Sequence, residues 1–269
     1  MALPKYLIHS RLLGIFNILE IIIRVLSKDT THKELHIKES NYIRDIIFGF
    51  GDGINTSLGI VAGVGGALIA ADVVILAALV GMFTGAKAMA VQNYLAVKSQ
   101  REILESEIKR EELEIKNMPN EERMEIENIY RAKGFEGEQL ENIVEKITSN
   151  KDVWLKTMLT EELGLNLDIL GSPLKGALVM FGSFLLGGIL PILPYFVVKA
   201  GIISSITAIG IAIVISVFSS FIVGALKARM AKKNWIKGGI EMAGLGTGIA
   251  LVGYGLGAEL AKTGIVNVQ

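Results

Sequence analysis

Cysteine is absent from this 269-residue chain. Disulfides, thiolate metal sites and cysteine nucleophiles are therefore excluded. Histidine is nearly absent as well: His9, His32 and His36 are the whole supply, all close to the N-terminus. His32 and His36 are spaced to share a helix face, but no third ligand accompanies them, and a His-rich zinc site is not expected. There is no excess of either charge, since 27 Lys and Arg balance 27 Asp and Glu. A global basic field for nucleic acid is thus lacking. Proline is scarce, at 5 residues. Any metal this chain handles must rest mainly on oxygen and thioether ligands.

What is present is apolar surface and glycine. Hydrophobic residues make up 51% of the chain and glycine contributes 30 positions, a pairing suited to helices packed within a bilayer. A span needs about 20 mostly apolar residues. Such stretches run over Ile43–Ala71, Val73–Val97, Leu174–Val198, Ile202–Leu226 and Gly238–Leu260. An all-α membrane protein with five transmembrane helices is expected. Leu7–Leu26 is also apolar but carries His9, Arg11, Glu20 and Arg24, which suits a helix lying on the membrane surface.

Between the second and third spans the composition changes. Ser99–Leu163 is polar, charged and helix-prone. Pro119 is expected to end one helix and Asn120 to cap the next, and KGFEGEQL marks a further turn. Three or four helices in a small soluble insert are expected. The organisation is then 1–40 as an N-terminal interfacial segment, 41–97 as spans one and two, 98–170 as the insert, and 171–269 as spans three to five.

Lys and Arg fix the orientation. They crowd the segment before span one, the insert, and the Lys227–Lys237 loop, while Lys199 and Lys262 are nearly alone on the other side. Five spans put the N-terminus and the insert in the cytoplasm. The glycine-rich runs GVGGA and GLGTGIALVGYGLG lack the Gly-Lys-Ser/Thr ending of a phosphate loop. They read as close helix packing.

Ionisable groups within spans are costly and mark function. Asp45 and Asp52 lie seven residues apart in RDIIFGFGDG, nearly two turns, so both project from one face about 10 Å apart along the axis. Asp45 is read either as a step in a cation path or as an interfacial residue paired with Arg44. Asp52, deeper and flanked by Gly51 and Gly53, is read as functional. Met82 and Met89 in span two offer thioethers, which suit borderline-soft divalent ions. Lys87 lies on a different face from Met89 and is expected to snorkel to the interface. In the insert, Glu111 and Glu114 are three apart, as are Glu122 and Glu125, and Glu161 and Glu162 follow near Met158. Residues three apart share a helix face. Two such pairs can enclose a cation with carboxylate oxygens; the plainer reading is a solvated face laced with Glu–Lys pairs.

The segments RDIIFGFGDGINTSLGIVAGVGGA, GAKAMAVQNYLAVKSQRE, KREELEI, WLKTMLTEELGL and GGILPILPY, in that order, resemble the vacuolar iron transporter family. The resemblance covers nearly all of residues 41–262. It implies five spans, a cytoplasmic metal-binding helical insert, and a homodimer with the ion path between protomers. It implies proton-coupled export of ferrous iron, with manganese as a second cargo and zinc as an ion the insert can hold. Partners are then divalent metal ions, protons and the lipid bilayer. No prosthetic group and no enzymatic reaction are expected. The membrane would be the cell membrane in a prokaryote or a vacuole-like organelle membrane in a eukaryote. Asp45, Asp52 and Met89 are implied to line the path, and Glu111, Glu114, Glu122, Glu125, Glu162 and Met158 to bind metal in the insert. The chain departs from the family pattern at Gly81, where an acid can stand, at Leu159, where a second methionine often stands, and at Lys87, usually small or apolar. A membrane-anchored metal sensor or buffer is the competing expectation. A di-iron oxidase ranks last, because the insert has no His and no Glu-x-x-His repeat.

Overall fold

Apolar runs without interior breakers set the helices, and the computed structural model describes residues 37–67, 70–165 and 171–263. The readings made for Leu7–Leu26, His9, His32 and His36 lie outside the described residues. The described elements are all helical: α1 Ile37–Gly66, α2 Ala71–Asn117, α3 Pro119–Ala132, α4 Gly137–Thr148, α5 Lys151–Glu161, α6 Pro173–Ile189, α7 Leu193–Lys199, α8 Ser205–Met230 and α9 Trp235–Lys262. Four of them (α1, α2, α8 and α9) are each long and apolar enough to cross a membrane. The fifth candidate span is the pair α6–α7, bent by 44°.

That bend departs from the single straight span expected over Leu174–Val198, and proline explains it. Pro191 has no N–H to give the Gly187 carbonyl, so the helix cannot continue its regular ladder. Leu190 N–H bonds Gly187 at 3.3 Å instead, and Ile192 N–H bonds Ile189 at 3.1 Å, tightening the chain into short turns before α7.

A second difference lies in α2. The change of composition near residue 98 is not a change of backbone: α2 is one helix of 47 residues, about 70 Å long. Its second half and α3–α5 close around a separate small core of Ile115, Ile126, Leu140, Val144, Ile147, Trp154 and Met158. The helix before Pro119 ends at Asn117, as expected. Pro119 opens α3 within the first turn, after Met118, and Asn120 makes no side-chain cap. A missing donor costs nothing at that position. Asn150 does cap α5, accepting from Asp152 N and Val153 N at 3.0 and 3.3 Å.

α1 runs through the middle of the spanning helices and packs on α2, α6, α8 and α9. Glycine makes that possible. A Cβ on Gly53 would collide with the Phe184 carbonyl, and one on Gly257 with the Gly63 carbonyl. Within the glycine-rich runs Gly63, Gly66, Gly246, Gly253 and Gly257 lie at helix contacts, whereas Gly244, Gly248 and Gly255 meet nothing. Around them Val61, Val74, Ala78, Met82, Phe184, Tyr195 and Ala212 form the buried apolar core.

Candidate metal centre

Three helices converge on the carboxylates of the 98–165 segment. Glu111 and Glu114 come from the outer half of α2, Glu122 and Glu125 from α3, and Glu162 from the residue that closes α5. Glu111, Glu122 and Glu162 each bring a carboxylate oxygen within 4.8 Å of the other two. Glu111 is 1% exposed and Glu122 5%. Glu111 Oε1 and Glu122 Oε2 are buried and lack any hydrogen-bond partner. Met158, fully buried, sits one helical turn before Glu162 on α5.

Glu111 and Glu122 are not on a solvated face, while Glu125 and Glu162 are exposed at the rim of the cluster. The Glu–cation pairs of that type are elsewhere: Lys98 with Glu102 at 3.5 Å, Arg110 with Glu107 at 2.7 Å, and Arg131 with Glu127. Among the described residues Glu111, Glu122, Glu125 and Glu162 have no ion-pair partner, and Glu114 has only a loose one, Arg110 Nε at 3.7 Å. Glu161, one residue from Glu162, turns aside to pair with Lys133.

Uncompensated negative charge shows in the acidities. Burial pushes the Glu111 carboxyl up to about 8, and the charges of Glu162, Glu122 and Glu114 add to it. Burial also raises Glu122, followed by the charge of Glu125. Glu162 is raised by partial desolvation, then by Glu125 and Glu122. Glu111, Glu122 and Glu162 are thus raised together, with Glu114 and Glu125 adding charge to them. Such a cluster holds protons or an external cation, because carboxylates that close cannot all stay ionised alone. Oxygen donors in this number suit a divalent ion.

The residues in the spans are arranged differently. Asp45 is 2% exposed and fully engaged. Arg44 donates to its Oδ1 from Nη2 at 3.0 Å and from Nε at 3.3 Å, and Asn93 on α2 donates to its Oδ2 at 3.2 Å. Of the two readings open for Asp45, the pairing with Arg44 is the arrangement seen. Asp52 is half-buried and has no ion-pair partner among the described residues. Met89 is half-buried against the apolar core, whereas Met82 is part of that core. Lys87 is exposed and points away from the bundle. No hydrogen bond or ion pair among the described residues joins Asp52 to Met89.

Sequence reasoning missed Asn93. A polar amide near the end of span two was the available signal, but its partner lies 48 residues away. It also missed two polar groups following Asp52 in GDGINTS: Asn55 Oδ1 and Ser57 Oγ are buried without hydrogen-bond partners.

Comparison with known proteins decides the family. The VIT family model matches residues 43–258, spanning α1 to α9. The chain belongs to the VIT family. It is 33% identical over 234 residues to the vacuolar iron transporter of Plasmodium falciparum, covering 85% of this chain and 86% of that protein. It is 33% identical over 242 residues to the vacuolar iron transporter of Toxoplasma gondii, covering 85% and 78%. With vacuolar iron transporter 1 of Arabidopsis thaliana it shares 30% identity over 215 residues, covering 80% and 84%. A VIT family chain with these apolar helices is an integral membrane protein, and the Glu111–Glu122–Glu162 cluster, Asp45 and Asp52 all fall inside the matched region.

Proposed function

We propose that this VIT family protein transports a divalent transition metal, ferrous iron with manganese as a second cargo, out of the cytoplasm in exchange for protons. The observation that carries the proposal is the trio Glu111, Glu122 and Glu162, with oxygens within 4.8 Å of one another and no ion-pair partner among the described residues. The names of the relatives, vacuolar iron transporters, agree with iron as cargo.

In this reading the 98–165 segment faces the cytoplasm and gathers metal. Glu111, Glu122 and Glu162 supply oxygens, Glu114 and Glu125 supply further charge, and Met158 supplies a soft donor. Protons held by the raised carboxyls leave as the ion binds. α2 continues from this segment into the membrane, so the ion's next ligands lie on the helices beside it. Asp52 on α1 is the acceptor within the bilayer, with Met89 of α2 contributing a thioether. Two copies of the chain, meeting as a homodimer, would enclose the route between them. Zinc fits the same oxygen-rich insert and would bind there without being the principal cargo.

A second reading, a membrane-anchored metal buffer with little flux, draws on three observations. Gly81 takes a position where an acid can stand, Lys87 adds a cation to α2, and Asp45 is occupied by Arg44 and Asn93. Flux separates the two. The protein is reconstituted in liposomes and supplied with Fe2+, Mn2+, Zn2+ or Ca2+, with and without a pH gradient. Gradient-driven accumulation of Fe2+ and Mn2+ but not Ca2+ supports transport. Stoichiometric metal binding with no accumulation supports the buffer.

A further inference from the structure

We propose that Arg44 and Asn93 latch Asp45 and so close the cytoplasmic entrance of the α1 route, and that an arriving divalent ion opens it by taking the place of Arg44. The inference deepens the transport reading and rests on it. Its basis is the way one carboxylate ties α1 to α2 beneath α6. Asp45 on α1 is 2% exposed, so a hydrated ion cannot reach it as it stands. Its two oxygens are divided between two donors, Oδ1 to Arg44 and Oδ2 to Asn93 of α2. Gly176 of α6 roofs the pair: an added Cβ would lie 3.0 Å from Asp45 Oδ2 and 3.1 Å from Asn93 Nδ2.

The two donors are not equivalent. The Arg44 side chain is 62% exposed while that of Asp45 is 3% exposed, so the guanidinium, unlike the carboxylate, can move off into solvent and leave its place to another cation. Asn93 is neutral and comes from the neighbouring helix, so it can keep its hydrogen bond while the cation on Oδ1 changes. Arg44 therefore acts as a resident counter-ion. A divalent ion carries twice its charge and competes for Oδ1, whereas a monovalent ion offers no advantage over the guanidinium it must displace. The latch lies on the side from which α2 leaves for the glutamate cluster, with Asn93 about 27 Å along that helix from Glu111.

The test is Mn2+ uptake into proteoliposomes under a fixed pH gradient, by wild type, R44Q, R44K, D45N, R44Q/D45N and G176A. R44Q is expected to lower the KM for Mn2+ by up to about fivefold, the reach of a solvent-accessible ion pair, with Vmax retained and inhibition by Na+ increased. R44K should restore most of the wild-type KM. G176A, whose methyl crowds Asp45 Oδ2 and Asn93 Nδ2 without adding or removing a charge, should change KM in the same direction as R44Q. The KM shift should vanish in the D45N background. An unchanged KM in R44Q, or a shift that persists without Asp45, overturns the latch. Wild-type protein that carries no Mn2+ would instead sink the transport reading itself. The latch is then judged by thermal unfolding in detergent, where non-additive R44Q and D45N shifts are expected and additive ones overturn it.

Discussion

Glu111 on α2 and Glu122 on α3 face each other across the Met118–Pro119 bend, both buried and each with a carboxylate oxygen that no donor satisfies. Burying such groups unpaired is costly. A fold that keeps them has reserved their oxygens for something that arrives from outside.

The pH dependence of the metal-free protein follows from that relationship. Glu111 is pushed up to about 8 from its ordinary value of 4.5, and Glu122 and Glu162 move in the same direction. An acid whose folded pKa exceeds its unfolded one binds more protons in the folded state between the two values, so stability falls as pH rises through that window. Thermal unfolding in detergent with a chelator should show a melting temperature that declines from about pH 5 to about pH 8 and then levels. Added Mn2+ should remove most of the decline, because the ion replaces the lost protons.

Glu111→Gln separates a binding role from a structural one. The amide keeps the shape but removes one anionic oxygen pair. At pH above about 8 the chelated variant should melt higher than wild type, since a repulsive charge has gone. Its affinity for Mn2+ should fall at least about tenfold, or ~1.4 kcal/mol. Isothermal titration and melting curves on the same sample check both signs. A variant that is less stable without metal and binds metal normally would mark Glu111 as a scaffold residue.

Met158 serves packing and chemistry at once, so the substitution must spare one of them. Met158→Leu conserves volume in a fully buried site and should cost less than about 1.5 kcal/mol. It removes the thioether. Affinity for Fe2+ and Zn2+ should drop relative to Mn2+, as read by competition titration, with little change in melting temperature.

Gly53→Ala tests the helix contact that seats Asp52. The new methyl meets the Phe184 carbonyl on α6, and backbone cannot move aside cheaply. Overpacking of this kind costs about 1–3 kcal/mol. A clear fall in melting temperature is expected, together with loss of flux. Gly248, where an added Cβ meets nothing, is the control, and its alanine variant should behave as wild type.

Much of this was legible in the chain because the period and the length of apolar runs are local properties. α1, α8 and α9 fall where the hydropathy puts them. The i, i+3 spacing of Glu111 with Glu114 and Glu122 with Glu125 correctly marked shared faces. Other features depend on partners far away in sequence. Glu161 and Glu162 are indistinguishable until Lys133 claims one of them. Nothing near Asn93 announces Asp45 as its partner. Composition changes at Ser99, but LAVKSQREIL contains no Gly or Pro to stop a helix, so α2 continues from one kind of sequence into the other. Pro119 does stop the helix before it, but it also starts the one after it, which leaves Asn120 inside the helix and not at its cap.

The most direct measurement compares two variants in one assay, pH-gradient-driven Mn2+ uptake into proteoliposomes as a function of metal concentration. Asp52→Asn should abolish uptake while the purified protein still binds metal at its glutamates. The E111Q/E122Q/E162Q variant should raise KM and keep uptake measurable at saturating Mn2+. Wild-type uptake by the Asp52→Asn protein would contradict a route through α1, and an unaltered KM in the triple variant would contradict capture by the cluster.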